Sequence, residues 1–493
     1  MPDHENNKIG FIGATSYIVG TIIGSGLFVS PTAILKQSGS VGLSLCVWLL
    51  SGLFTVVAGM VYVELGTSIR ESGSEFAYIS YVGWYPLAFS FVWLTTLVSN
   101  SCGMAILADT FGEYVMQAME PISCLTDSDK LWFKRLTGYL LIFLLTWANF
   151  FSLKKYAARI QIVITIAKML SVALIIGTGF YFLIFKGRTQ HFVDGNLWKG
   201  SNFDAESIVL AIYAGNWAYG GYDTLNYGAE EISNYRRTLP IAVVGGVITT
   251  MFIYLTANIS YFVILSPEAM VGSVAVASDF SKETLGDFYY AMPAIVGILM
   301  IGTLNSDIFT SSRYMFAAAR KGQMPTCWAL VNEKTNSPRV SIFYHSFFAI
   351  AISFLGSVDK LINYMTVCNL LQQATAVAAL IWIRYKGTTV HREAIRFPIA
   401  IPIAFFIFCI ALIVIPLVKE PITTAVGLGC AIVGIVAYYI FVKPKRKLRP
   451  LLWLDEWSTK LSQLVFWAVM EELDEQKNEH IPTISETLEK SKL

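Results

Sequence analysis

Twelve stretches of this chain are apolar over roughly the length of a membrane-crossing helix, and no other feature narrows the possible folds so far. A helix needs about 20 mostly apolar residues to span the hydrocarbon core. Such stretches fall near 9–36, 41–69, 83–117, 136–153, 158–186, 206–232, 240–265, 289–319, 338–356, 358–385, 396–418 and 421–442. The count could change by one at the long third stretch or where the ninth and tenth nearly touch. Composition agrees: charged residues make up 14%, against ~25% in an ordinary globular chain, too few to cover a soluble surface. The expectation is an all-α membrane protein of about twelve spans.

The other broad classes lack their signatures. A net charge of +2 and the lack of a basic tract interleaved with aromatics argue against nucleic acid. Seven scattered Cys without CxxC, and no HExxH, give no metal framework, so neither metal nor cofactor is expected. The opening MPDHENNKIG carries two acids and leads into an apolar segment without a small-residue cleavage site, so it reads as mature protein.

Lys and Arg set the orientation, because they concentrate in cytoplasmic loops. With the N-terminus inside, those loops collect Arg70, Lys154, Lys155, Arg159, Arg236, Arg237, Arg320, Lys321, Arg384 and Lys386, and the tail opens KPKRKLR. The opposite loops hold roughly half as many, so both termini are expected in the cytoplasm. In the tail, 451–473 puts Trp457, Leu461, Leu464, Val465 and Ala468 on one helical face. That suits a helix along the inner leaflet; the alternative is a helix docked on the cytoplasmic loops.

Two spans carry breaks. The first contains TIIGSGLF (21–28) and the sixth AGNWAYGGYDTLNYGAEE (214–231). Glycine disfavours helix by ~1 kcal/mol against Ala, so clusters favour unwinding. Unwound backbone at membrane depth is tolerated only where it is buried in protein or lines a cavity. Close packing through small residues is the competing explanation. The two breaks occupy corresponding positions of two five-span halves, the arrangement that points to a transporter site between inverted repeats. The expected divisions are an N-terminus 1–8, repeats 9–186 and 206–385, two further helices in 396–442, and a tail 443–493.

Several longer motifs resemble a known family. TIIGSGLFVSP, YVELGTSIRESGSEFAYI (62–79), WAYGGYDTLNYGAEEI followed by LPIA, and SSRYMFAAARKGQMP (311–325) resemble the L-type amino acid transporters. These are light (catalytic) subunits of heteromeric amino acid transporters, within the amino acid–polyamine–organocation superfamily. The resemblance implies a five-plus-five inverted-repeat core, two extra helices, and sodium-independent exchange of amino acids at the plasma membrane.

The chemistry of the breaks suits that substrate class. Unwinding at Gly24, Ser25 and Gly26 frees backbone N–H groups at a half-helix N-terminus, where a carboxylate is favoured. Carbonyls released at Ile22, Trp217 and Gly220 can accept from an ammonium. By the resemblance these positions hold the substrate backbone, and Trp217, flanked by Ala218, is an aromatic gate; the alternative is a Trp packed between helices. A side chain at Gly26 is expected to intrude on the carboxylate cradle.

Charges inside spans need a role or a partner. Lys168 resembles the family lysine near the unwound first helix, where its ammonium would take the place of sodium. Asn305 matches a family position close to the substrate, and an interhelical hydrogen bond is its other reading. Glu230 and Glu231 read as mainly structural beside Arg236 and Arg237. Asp223 and Asp307 are selectivity candidates. An acid near the substrate side chain favours cationic substrates, and the YDTLNY segment resembles the branch that exchanges cationic for neutral amino acids. Neutral L-amino acids rank first, the cationic/neutral exchanger second. An anionic substrate ranks last for want of an intramembrane Arg in the third and tenth spans.

Cys124 lies in the loop after the third span, the one Cys on the oxidising side, and an unpaired external Cys suggests an intermolecular bond. The resemblance names the partner as a single-pass type II glycoprotein heavy subunit. The external loops have no N-x-S/T sequon, which leaves glycosylation to a partner. A membrane enzyme would need a nucleophile with a base, and Ser25 has no His nearby; a receptor that binds without transporting would keep the same site.

Overall fold

The computed structural model describes residues 11–70, 74–119, 126–150, 154–192, 196–227, 234–273, 275–286, 289, 291–333, 335, 337–417, 421–444 and 449–470. Eight helices among them are long and apolar enough to cross a membrane: Val41–Ser68, Tyr85–Met119, Ile166–Phe185, Tyr235–Ile264, Ala291–Arg320, Val358–Lys386, Ala400–Leu417 and Thr424–Val442. They are the second, third, fifth, seventh, eighth, tenth, eleventh and twelfth spans. The other four fall short for physical reasons. The first is two pieces, Phe11–Ile22 and Gly26–Ser38, and the sixth is Ala205–Ala218 followed by Thr224–Tyr227. The fourth, Asp127–Phe150, opens on a charged turn, and the ninth, Arg339–Ser353, is 15 residues long. The chain is an all-α, multi-pass membrane protein.

The third stretch is one span. Its helix widens into a π turn at Thr95–Ser99, and that turn is bonded across to the tenth span, Thr95 Oγ1 to Gln372 Oε1 at 2.9 Å and Ser99 Oγ to Asn369 Oδ1 at 3.0 Å. The ninth and tenth stretches are separate helices, divided at 354–357.

At the end of the bundle that carries the tail, a buried charge pair fastens three segments. Glu64, 1% exposed on the second span, accepts from Arg384 Nε of the tenth at 2.6 Å and from the Phe397 amide at 3.1 Å. Arg384 Nη2 donates to the Phe397 carbonyl at 2.6 Å. The Ile395 amide donates to Thr67 Oγ1 at 3.1 Å, so the 387–399 connection is held along the second span.

The tail differs from the expected single helix over 451–473. The helix is Arg449–Phe466. Trp467 then takes a positive φ of 50°, and Ala468–Met470 pairs antiparallel with Leu330–Asn332. Ala468 is therefore in a strand and off the helical face. Asp455 accepts from the Thr326 amide at 2.9 Å and from its hydroxyl at 2.6 Å, and Asn332 Nδ2 donates to the Trp467 carbonyl at 2.7 Å. The helix is docked on the 326–332 connection by its polar side. Trp457, Leu461, Leu464 and Val465 remain exposed on the other side, so the docked arrangement leaves the apolar face open to a leaflet.

Candidate functional site

The two breaks meet. In the first span the helix stops at Ile22 and resumes at Gly26, and the first amides of the second piece to find partners, Phe28 and Val29, both donate to the Ser25 carbonyl. A Cβ built on Gly26 would lie 2.4 Å from Ala218 Cα and 2.8 Å from Ala218 Cβ, so only glycine lets the first span approach the end of the first sixth-span piece this closely. The cradle expectation for a side chain at Gly26 is corrected here: it would strike Ala218. Gly24 is the position with room, where a Cβ would meet nothing closer than the Thr21 carbonyl at 3.7 Å. Ser30 Oγ donates to the Ala214 carbonyl at 2.7 Å, binding the two helix pieces further along.

Tyr254 of the seventh span, which the sequence did not single out, ties both breaks. Its hydroxyl contacts the Ile22 carbonyl at 2.7 Å and the Ala218 carbonyl at 3.0 Å. Its ring packs against Trp48 and Tyr219, with centroids 5.3 and 5.1 Å away. The Ile22 carbonyl is thus already engaged on one side, and an ammonium there shares it with a phenol. Gly221 takes φ +100°, beside Thr21, which carries the chain through the sixth-span break. Gly215, by contrast, lies within the intact helix and packs on Ser51, so it is a packing glycine and no part of the break.

Trp217 lies over Gly103 of the third span, its ring 3.9 Å from where a Cβ would be. It packs against a buried cluster that includes Cys102, Ala105 and Leu361, as does Val29. Val29, Ala105 and Leu361 also line a chamber of about 510 Å³ at the end of the bundle away from the tail, so Trp217 packs on the cluster that forms part of the chamber wall. Its buried Nε1 has no hydrogen-bond partner among the described residues. Toward the mouth of the chamber, Lys134 is held by Asp109 at 2.7 Å and Glu113 at 3.0 Å, and Lys36 faces Asp359 at 3.8 Å.

Lys168, 5% exposed, reaches the first span just before its break, with Nζ 3.4 Å from the Gly20 carbonyl. Asn305 Oδ1 accepts from Asn149 Nδ2 of the fourth span at 2.8 Å, the interhelical bond of its second reading. The eighth-span residue beside Gly24 is Thr303, whose Cγ2 lies 3.9 Å from a Cβ there. Asp223 is half-buried near Tyr62, Tyr78 and Tyr222. Asp307 faces His345 of the ninth span at 3.5 Å, a partner the sequence did not suggest. Cys124, Glu230 and Glu231 lie outside the described residues. No group of His, Cys, Asp and Glu among the described residues could hold a metal ion.

A multi-span bundle whose first and sixth spans part at facing glycines has the build of a secondary transporter, with its site at the unwound backbone. A model of the amino acid permease family matches residues 9–438, and the chain belongs to that family. It is 41% identical to amino acid transporter protein 6 of Caenorhabditis elegans, over 97% of this chain and 92% of the relative. It is 34% identical to the human large neutral amino acids transporter small subunit 2, over 89% and 82%. Identity to the human cystine/glutamate transporter is 32%, over 94% and 91%. The chain is an amino acid transporter and belongs with transporters rather than enzymes.

Proposed function

We propose that this chain is a sodium-independent exchanger of neutral L-amino acids at the plasma membrane, working by alternating access between two five-span repeats. The observation that carries the reading is the junction of the two breaks, with Gly26 on Ala218 and Tyr254 on both Ile22 and Ala218. Backbone donors at Gly24, Ser25 and Gly26 receive the substrate carboxylate. Carbonyls at Ile22, Trp217 and Gly220 receive its ammonium, and Asn305 lies at the rim. Lys168 supplies a fixed positive charge at the end of the first helix piece, which removes the need for a bound sodium ion.

Asp223 favours a second reading, exchange of cationic for neutral amino acids. An anionic substrate is disfavoured, because Arg384, in the last turn of the tenth helix at the tail end of the bundle, is already bound to Glu64. Proteoliposomes loaded with unlabelled leucine should show accelerated uptake of labelled leucine, without sodium; equal uptake into empty vesicles would overturn exchange. On the second reading, Asp223→Asn lowers the arginine-to-leucine uptake ratio about tenfold, the scale of one nearby charge at partial burial. An unchanged ratio leaves the neutral exchanger.

The same reading makes the chain the light subunit of a heterodimer, with the tail on the cytoplasmic side and Cys124 outside, joined to a type II glycoprotein heavy subunit. Cys124→Ser should remove a high-molecular-weight band from a non-reducing gel of native membranes. A wild-type chain that runs alone there, with full surface delivery, would overturn the partnership.

A further inference from the structure

His345 is 1% exposed in the middle of the ninth span, and Asp307 lies midway along the eighth. Their facing atoms, His345 Nε2 and Asp307 Oδ2, are 3.5 Å apart, and neither makes a hydrogen bond to any described residue. Ser311 Oγ approaches the other carboxylate oxygen at 3.5 Å. Intramembrane acids and bases are costly and ordinarily pair with one another. An imidazole and a carboxylate at this distance, each with an atom otherwise unused, have room for a proton between them.

Several described charged side chains on the packed elements make other contacts. Arg313, further along the eighth span, donates to the Phe309 carbonyl at 3.1 Å, and Arg339 of the ninth donates to the Phe150 carbonyl at 3.1 Å. Lys168 of the fifth faces Gly20. Asp109 and Glu113 of the third span are held by Lys134 of the fourth, toward the opposite end. The described part of the fourth span beyond Arg135 carries no charged residue. Asp455 on the tail helix is bonded to Thr326.

The pair also lies near the site. Thr303 touches the Gly24 position, and Asp307 is four residues on, about one helical turn away on the same face. A unit charge there is felt at the break through a medium of low dielectric constant.

We propose that Asp307 and His345 form a proton-binding site whose occupancy sets the charge beside the first-span break, and so sets whether a cationic amino acid is accepted. This rests on the exchanger reading. With His345 neutral the pair carries −1 and a cationic side chain is favoured; with His345 protonated the pair is neutral and the preference is lost. Among side chains, histidine is the one whose charge ordinarily changes between about pH 5 and pH 8.

The test is uptake of labelled arginine and leucine by proteoliposomes clamped to one pH on both sides, from about pH 5.5 to about pH 8. The arginine-to-leucine ratio should rise about fivefold with pH, the effect of one partly screened charge. His345→Gln should hold the high ratio at every pH and Asp307→Asn the low one. A flat wild-type ratio, or a His345→Gln protein that keeps the wild-type pH profile, overturns the proposal. Failure of all amino acid exchange would instead sink the exchanger reading. The proton site is then tested in purified protein: the Tm difference between wild type and His345→Gln should change across the same range, and parallel Tm–pH curves overturn it.

Discussion

Gly26→Val should reduce amino acid exchange by at least about a hundredfold, the loss expected when a binding site is displaced by an ångström or more. The new Cβ meets the Cα of Ala218 at 2.4 Å, a contact with backbone that no rotamer can relieve. The first and sixth spans must separate, and the two carbonyls that Tyr254 bridges move apart with them. Gly24→Ala is the companion measurement, because its added methyl meets only ordinary contacts. It should keep the fold and weaken transport through the space beside Thr303. Uptake by proteoliposomes, normalised to protein inserted, reads both. Wild-type uptake by Gly26→Val would show that the junction of the breaks is not the site.

Glu64→Ala should cost about 3 kcal/mol of stability, the lower end of the range for removing one partner of a buried ion pair. Arg384 is 17% exposed, which tempers the loss, while Glu64 itself is almost wholly enclosed. The substitution strands the guanidinium and leaves the Phe397 amide without its acceptor. A double change, Glu64→Leu with Arg384→Met, should recover most of the loss, since apolar side chains of similar volume commonly replace such pairs without penalty. Thermal unfolding in detergent measures both. A Glu64→Ala protein with the wild-type Tm would mean that the pair contributes nothing to holding the 387–399 connection.

What could be read from the sequence divides along physical lines. Span positions were legible because lipid imposes a length and a composition on each segment separately. The breaks were legible because glycine acts on its own helix, which is why both were placed within a few residues. Tyr254 was not. A tyrosine in an apolar helix looks like packing, and its partners at Ile22 and Ala218 are 232 and 36 residues distant. The same holds for His345: a single histidine in FYHSFF carries no sign that an aspartate faces it from the preceding span. Gly215 is hard to read for the opposite reason, since a glycine required for contact with Ser51 looks the same in sequence as one required for unwinding. The tail strand is three residues long and gains its identity only from pairing, so helical periodicity ran straight through it.

That strand has a consequence for how the chain is made. Leu330 and Met470 are 140 residues apart in the chain, and synthesis proceeds at ~5–20 residues per second. The 326–332 connection therefore waits some ~7–28 s after leaving the ribosome before its mate exists, a delay set by that same synthesis rate. During this time four further spans must insert, and the backbone groups of Leu330–Asn332 that later bond to Ala468–Met470 lack those partners. Nascent chains halted shortly before Ala468 should carry those backbone groups without their partners, so that the 326–332 connection is tied down only when the last residues of the tail helix and strand are made.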